Sequence, residues 1–157
     1  MKQFYFFLLV LIMITSTSKA CTIFSAQMGD SVVLVGNNED WFGSQGKIWI
    51  FPPEDSLLGI IVWGIGDSSY EGAMNEKGLF YDANAVLDGK QVTIHPEKEE
   101  FDFNHLYYIM THFSTIEEVE NYLKNYNLSL LNDGQMRFVD AFGNSMIVEG
   151  DSNIISD

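Results

Sequence analysis

From Thr22 onward the apolar positions fall into short runs rich in β-branched and aromatic residues, broken by glycine, asparagine or proline. Thr22 to Gln27 and Ser31 to Gly36 are two such runs, and Met28-Gly29-Asp30 between them is a hairpin signal. The second run is almost wholly apolar, which predicts a central strand covered on both faces. Lys47 to Phe51 reads as a strand stopped by Pro52-Pro53, and Leu57 to Trp63 as a further buried strand before a turn at Gly64 to Asp67. Tyr70 to Met74 and Leu79 to Ala85 bracket Asn75-Glu-Lys-Gly78, a tight reversal with glycine where positive φ is cheap.

The period then changes. Phe103 to Phe113 carries Leu106, Tyr107, Ile109 and Met110 at helical spacing. Thr115 followed three residues later by Glu118 is a capping box that opens a second helix, whose stripe is Ile116, Val119, Tyr122 and Leu123 and which ends by Asn127 or Leu128. Met136 to Ala141 and Ser145 to Val148 read as a closing hairpin about Phe142-Gly143-Asn144. Strands, two helices, then strands again argue for an α+β layered fold with antiparallel sheet. Gly150 to Asp157 completes no element in this reading, so the chain stops in mid-fold.

The first twenty residues follow a different rule. Lys2 precedes an eleven-residue apolar run from Phe4 to Ile14, and Ser18 and Ala20 supply the small residues of a signal-peptidase site. The run is shorter than the ~20 residues a membrane span needs. The expected domains are therefore a signal peptide, 1–20, and one folded portion, 21–157, in a secreted or periplasmic protein. Cleavage after Ala20 makes Cys21 the first residue and gives it a thiol beside a free α-amine. That amine, with an unperturbed pKa of ~7.7–8.0, can serve as general base to a thiol of ~8.5. The competing reading is a lipoprotein anchored through Cys21 with a binding role. Ser18 and Lys19 argue against it, because a lipidation signal usually carries an apolar and a small residue at those places.

Charge and cysteine usage narrow the classes. The chain has 22 acidic and 8 basic residues. Loss of the leader removes Lys2 and Lys19 and no acid, which leaves 137 residues with a net charge of −16. Such a chain has no means of neutralising phosphates, so nucleic acid is excluded as a partner. Arg137 is its single arginine and Cys21 its single cysteine, so no internal disulfide can form. His95, His105 and His112 are scattered and show no metal-ligand spacing; no cofactor and no metal are expected.

Three blocks carry a resemblance. Cys21-Thr-Ile-Phe leading to Gly36-Asn-Asn-Glu-Asp40-Trp41 is the first. Gly72-Ala-Met-Asn75-Glu-Lys-Gly-Leu79 with Asn84-Ala85 downstream is the second. Phe138-Val-Asp140-Ala-Phe-Gly143-Asn-Ser-Met-Ile-Val-Glu149 is the third. In this order they resemble the choloylglycine hydrolase family, which includes bile salt hydrolases, penicillin V acylases and acyltransferase-like amidases. The resemblance implies an N-terminal-nucleophile (Ntn) hydrolase with a four-layer αββα sandwich of antiparallel sheets, incomplete at the C-terminus, that cleaves linear, non-peptide amide C–N bonds of small N-acyl amide substrates. Cys21 would be the nucleophile, Asp40 the holder of its amine and of the substrate amide, and Asn84 the oxyanion donor. Asn37, Trp41 and Tyr81 would contact substrate. Asn75 would shape its turn, and Asn38 would be structural.

Two departures bear on this. Asn37 stands where bile salt hydrolases carry an arginine directly after the glycine, which weakens a bile salt specificity and suits the amidase and acyltransferase-like branches better. Family members also run to roughly twice this length, so an inactive fragment is a competing reading, and a homo-oligomer belongs to the full-length domain. Asn127-Leu-Ser129 is a glycosylation sequon, relevant in a eukaryotic secretory route.

Overall fold

The computed structural model describes residues 21–29, 32–40, 45–66, 69–86 and 89–156; the expected signal peptide and the candidate Trp41 lie outside the described residues. The strands are β1 (Thr22–Met28), β2 (Val32–Asn38), β3 (Gly46–Phe51), β4 (Ile60–Ile65), β5 (Ser69–Asn75), β6 (Phe80–Ala85), β7 (Glu99–Glu100), β8 (Tyr126–Asn127), β9 (Gly134–Val139), β10 (Ser145–Glu149) and β11 (Ser152–Ser156). The helices are α1 (Phe103–His112) and α2 (Ile116–Leu123), and a single 3-10 turn covers Ser129–Leu131.

Seven strands form one antiparallel sheet in the order β11-β10-β9-β6-β5-β4-β3. β1 and β2 form a separate antiparallel hairpin with Thr22 opposite Asn38 and Met28 opposite Val32. Alternation along the large sheet sends two sets of side chains to opposite faces. Ile60, Val62, Ala73, Tyr81, Met136, Phe138, Met146 and Val148 point to one face, where they meet Leu106, Ile109 and Met110 of α1 and Ile116, Val119 and Leu123 of α2 in a single buried core. Each Leu, Ile, Val, Phe or Met side chain buried there contributes about 1.5–3 kcal/mol. Trp63, Phe80, Asp82, Asn84 and Arg137 belong to the other set, on the face that carries the β1–β2 hairpin. Among the described residues the layers are therefore helices, sheet and hairpin. This is the α+β antiparallel architecture read from the sequence, with three of the four layers of an αββα sandwich.

Local signals explain where elements begin. Asp102 caps α1 by accepting from Asn104 and His105, and the His105 ring closes the box by accepting the Asp102 N–H at 3.1 Å. Thr115 and Glu118 form the box read from the sequence at α2. Gly78 takes φ +84° in the β5–β6 reversal, a conformation that favours glycine.

Four expectations are corrected. β2 is not covered on both faces: Val32 and Leu34 are exposed and turn outward with Phe24 and Met28, because β2 pairs with β1 alone. Gly64 and Ile65 extend β4 instead of starting the turn, since both pair across to β3 and β5. The tail, read as completing no element, forms β11, which pairs with β10 from Glu149↔Ser152 to Ser145↔Ser156. Asn127 of the sequon is buried, and its side chain bonds His95 N, His95 O and Lys98 O, so its amide is not presented for modification.

Candidate active site

The hairpin positions the chain's one thiol. Cys21 immediately precedes β1 and is partly exposed. Its partners come from the stretch that runs off the end of β2, because the β1–β2 register sets Thr22 opposite Asn38. The Cys21 Sγ lies 3.1 Å from Glu39 Oε2, with the thiol donating. The Asp40 backbone N–H donates to the same sulfur. That donor lowers the thiol pKa, but desolvation by burial, the Glu39 hydrogen bond and the negative charges of Glu39 and Asp40 together outweigh it, so the net shift is upward.

A second tier lies beneath. Asn37 Nδ2 donates to Glu39 Oε1. Asp82 is fully buried on β6. Its Oδ2 accepts from Trp63 Nε1 at 3.1 Å and its Oδ1 from the Ala83 N–H at 2.8 Å. Burial pushes the Asp82 carboxyl up to about 6, against the lowering effect of its Asn37, Ala83 and Trp63 donors, and the Glu39 charge adds to the rise. Trp63, Gly72 and Asp82 stand in register across β4, β5 and β6. A side chain at Gly72 would collide with the Trp63 indole, so the missing Cβ is what lets the ring lie across β5 and reach Asp82.

The hairpin is fastened to the sheet by Arg137, opposite Asp82 on β9. Its Nη1 donates to Ile23 O at 3.0 Å and its Nη2 to Ser25 Oγ at 2.8 Å. Beside the thiol's partner opens a groove of about 380 Å³ lined by Glu39, Lys47, Ile48, Trp63, Ile65 and Glu71.

Of the residues singled out in the sequence, Cys21, Asn37 and Asp40 are brought together. Asn84 lies on the same face of β6 as Asp82, two residues on, and its buried Oδ1 has no hydrogen-bond partner. Tyr81 is turned to the opposite face, into the helix-covered core beside Phe138 and a cavity of about 250 Å³ under α1. The physical reason is the two-residue period of β6: if Asp82 and Asn84 face the hairpin, Tyr81 cannot. Trp41 is outside the described residues. Sequence reasoning missed Glu39, Asp82, Trp63 and Arg137. Glu39 had a signal, since it stands inside the same Asn-Asn-Glu-Asp run as Asp40. The other three are joined to the site by strand register alone. Among the described residues no group of three His, Cys, Asp or Glu side chains converges to hold a metal, and no helix is long and apolar enough to cross a membrane.

No protein-family profile matches the sequence, and no curated protein sequence matches it. Solved structures do. A variant of the conjugated bile acid hydrolase from Clostridium perfringens aligns with TM-score 0.64 at 21% identity, over 88% of this chain and 51% of that one. A second variant of that hydrolase aligns with TM-score 0.54 at 21% identity, over 74% of this chain and 44% of that one. The penicillin V acylase from Agrobacterium tumefaciens aligns with TM-score 0.56 at 20% identity, over 90% of this chain and 46% of that one. The chain shares their fold and spans about half the length of each.

Proposed function

We propose that this chain is the nucleophile-bearing part of an exported amide hydrolase of the choloylglycine hydrolase family, with Cys21 as its N-terminal nucleophile. The observation that carries this reading is the Cys21 thiol at the head of β1, hydrogen-bonded to Glu39 and Asp40. It occurs in a fold shared with a conjugated bile acid hydrolase and a penicillin V acylase.

The chemistry follows from charge. Release of residues 1–20 converts the Cys21 amide nitrogen into an amine, which takes the thiol proton. Glu39 and Asp40 beside it favour the resulting ammonium. The thiolate attacks the amide carbonyl and an Sγ–C bond forms. The C–N bond then breaks as the ammonium returns a proton to the departing amine. Water cleaves the thioester, giving the carboxylic acid and restoring the thiol. An oxyanion donor contributes ~2.7–4 kcal/mol to such a step, and Asn84 is the candidate for it.

The substrate reading is a small N-acyl amide with an apolar part. The groove walls of Ile48, Trp63 and Ile65 suit an acyl chain or ring. Asn37 in place of arginine, with Glu39 and Asp40 adjacent, disfavours an anionic substrate group there. Neutral amides are therefore preferred to taurine or glycine conjugates.

The test uses the full chain expressed in an exporting bacterial host. The expected result is an intact mass beginning at unmodified Cys21, amine release from a fluorogenic N-acyl aminocoumarin, and loss of that release in Cys21→Ala. A lipid-modified mass, or release that survives Cys21→Ala, would overturn the proposal. So would a free Cys21 that neither releases amine nor forms an adduct with a thiol-directed acyl analogue.

A further inference from the structure

We propose that the cavity between α1 and the large sheet is a binding site for a small organic ammonium ion with an apolar body. It lies on the face of the sheet away from the thiol-bearing hairpin, and it does not depend on Cys21 being a nucleophile.

The cavity has a definite origin in the sequence. Val62, Ala73 and Tyr81 stand in register across β4, β5 and β6 and face the helices. The middle residue is a methyl group between two large side chains, which leaves a hollow in the sheet. α1 spans it with Phe103, Leu106, Tyr107 and Met110, the i, i+3, i+4 and i+7 positions of one helix face. Leu106 and Met110 are buried, at 9% and 1% exposure. Phe103 and Tyr107, one turn apart on the same stripe, stay 72% and 50% exposed over the hollow. A β-bulge between Trp63 and Gly64 turns Tyr70 to this side, where its ring meets Trp49 edge-on at 5.1 Å. The result is an open cavity of about 250 Å³ with aliphatic walls and a rim of Phe51, Tyr70, Phe103 and Tyr107. An apolar cavity of ~150 Å³ takes up benzene, so this one has room for a ring or a short alkyl chain.

The rim and its surroundings select the charge. Aromatic rings carry a negative face that attracts a cation, and the attraction strengthens where water is excluded. No lysine, arginine or histidine lines the cavity or the two depressions that adjoin it. Those depressions hold Glu54 and Glu71, and Asp102 caps α1 next to Phe103. The whole chain has 22 acidic residues against 8 basic ones, so a carboxylate ligand is repelled and an ammonium is drawn in. The apolar body fills the hollow over Ala73, and the ammonium stays among the rings at the mouth.

The experiment titrates the full chain with hexylammonium, hexanol, hexanoate and methylammonium at neutral pH and about 0.15 M salt, where long-range surface charge is screened. Binding is followed by the methyl resonance of Met110, which lines the cavity. The expected result is a saturable shift with hexylammonium, about threefold tighter than with hexanol and about tenfold tighter than with hexanoate, and no shift with methylammonium. Phe103→Leu combined with Tyr107→Leu keeps an apolar rim and removes two rings from exposed positions. It should bring hexylammonium down to the affinity of hexanol and leave hexanol unchanged. The absence of a saturable hexylammonium shift would overturn the proposal, as would equal or tighter binding of hexanol or hexanoate. A methylammonium shift of the same size would reduce the effect to surface charge, and a hexylammonium preference that survives in the double variant would take the rings out of recognition; either result overturns it as well.

Discussion

Asn75 Nδ2 donates to the Phe113 carbonyl at 2.7 Å, and so fixes the end of α1 to the turn between β5 and β6. The same nitrogen donates to Met110 O at 3.0 Å, while Oδ1 accepts from Lys77 N and Leu79 N, each at 3.0 Å. One buried side chain thereby closes the turn and satisfies two carbonyls at a helix terminus, where intrahelical partners run out. Asn75→Ala should destabilise the chain by about 2–4 kcal/mol, since truncation strands buried acceptors as well as losing bonds. Urea unfolding followed by circular dichroism checks this. A midpoint within error of wild type would show that water replaces the amide at no cost.

Asp140 makes a similar junction at the start of α2. Its Oδ1 accepts from Phe142 N at 2.9 Å and Asn144 N at 3.1 Å, and its Oδ2 from Asn144 Nδ2 at 3.0 Å and from Ile116 N at 3.3 Å, the first residue of α2. The β9–β10 hairpin and the α2 start therefore share one carboxylate. Asp140→Asn keeps the shape but replaces an acceptor with a donor that faces other donors. It should cost about 1–3 kcal/mol. The midpoint should fall without a change in m, since neither the core nor the surface exposed on unfolding changes.

The stability of the chain should also depend on Asp82 in a direction opposite to that of most carboxylates. Its pKa is raised from the ordinary 3.8 to about 6 in the folded chain. Between those values the folded state holds a proton that the unfolded state has released. Stability therefore falls as pH rises from about 4 to 6 and is level above, with a total on the order of 3 kcal/mol. Asp102, Glu118 and Asp151 are shifted downward by their hydrogen bonds, so their contributions rise with pH over a lower range. The difference between wild type and Asp82→Asn isolates the Asp82 contribution. That difference should slope across pH 4–6 and be flat above 7; a flat difference throughout would place the Asp82 pKa near its ordinary value.

What the sequence made legible was local. The β1–β2 turn, the Asn75–Gly78 reversal, the Thr115–Glu118 box and the Phe142–Asn144 turn each have cause and effect within a few residues, and the first helix and most strands appeared within two residues of their ends; the second helix stops at Leu123, short of the Asn127 or Leu128 read from the sequence, because Tyr126–Asn127 pairs as β8 with β7. The α+β class followed from element order. The site was legible in part. Cys21 and Asp40 stood out by spacing, whereas Asp82 acquires a role because Trp63 lies two strands away across a glycine. Tyr81 shows the limit of reading neighbours along a strand. It sits beside the right residues in the sequence, and strand alternation sends it to the other face. β11 escaped because its residues are exposed and hydrogen-bonded from one side only, which leaves no periodic pattern to read.

Arg137 supplies the last test, because it decides whether the thiol-bearing hairpin is held to the sheet by charge or by packing. The outer face of the hairpin is open, with Phe24, Met28, Val32 and Leu34 exposed, so its inner contacts must hold it. Of these, the guanidinium bonds to Ile23 O and Ser25 Oγ are made by a partly buried, desolvated cation whose Nε has no partner. Hydrogen bonds from a charged donor contribute about 1.5–3 kcal/mol each when neither partner is left exposed to water. Arg137→Met preserves the aliphatic stem and removes the bonds. Backbone hydrogen exchange in peptides covering residues 22–38 should then quicken by about tenfold or more, the factor that 1.4 kcal/mol of easier opening gives, while peptides from β9 and β10 keep their protection. Uniform quickening through both regions would mean that Arg137 supports the whole sheet. No change would mean that packing of Ile23, Val33 and Val35 alone keeps Cys21 in place, and the nucleophile's position would then owe nothing to the arginine.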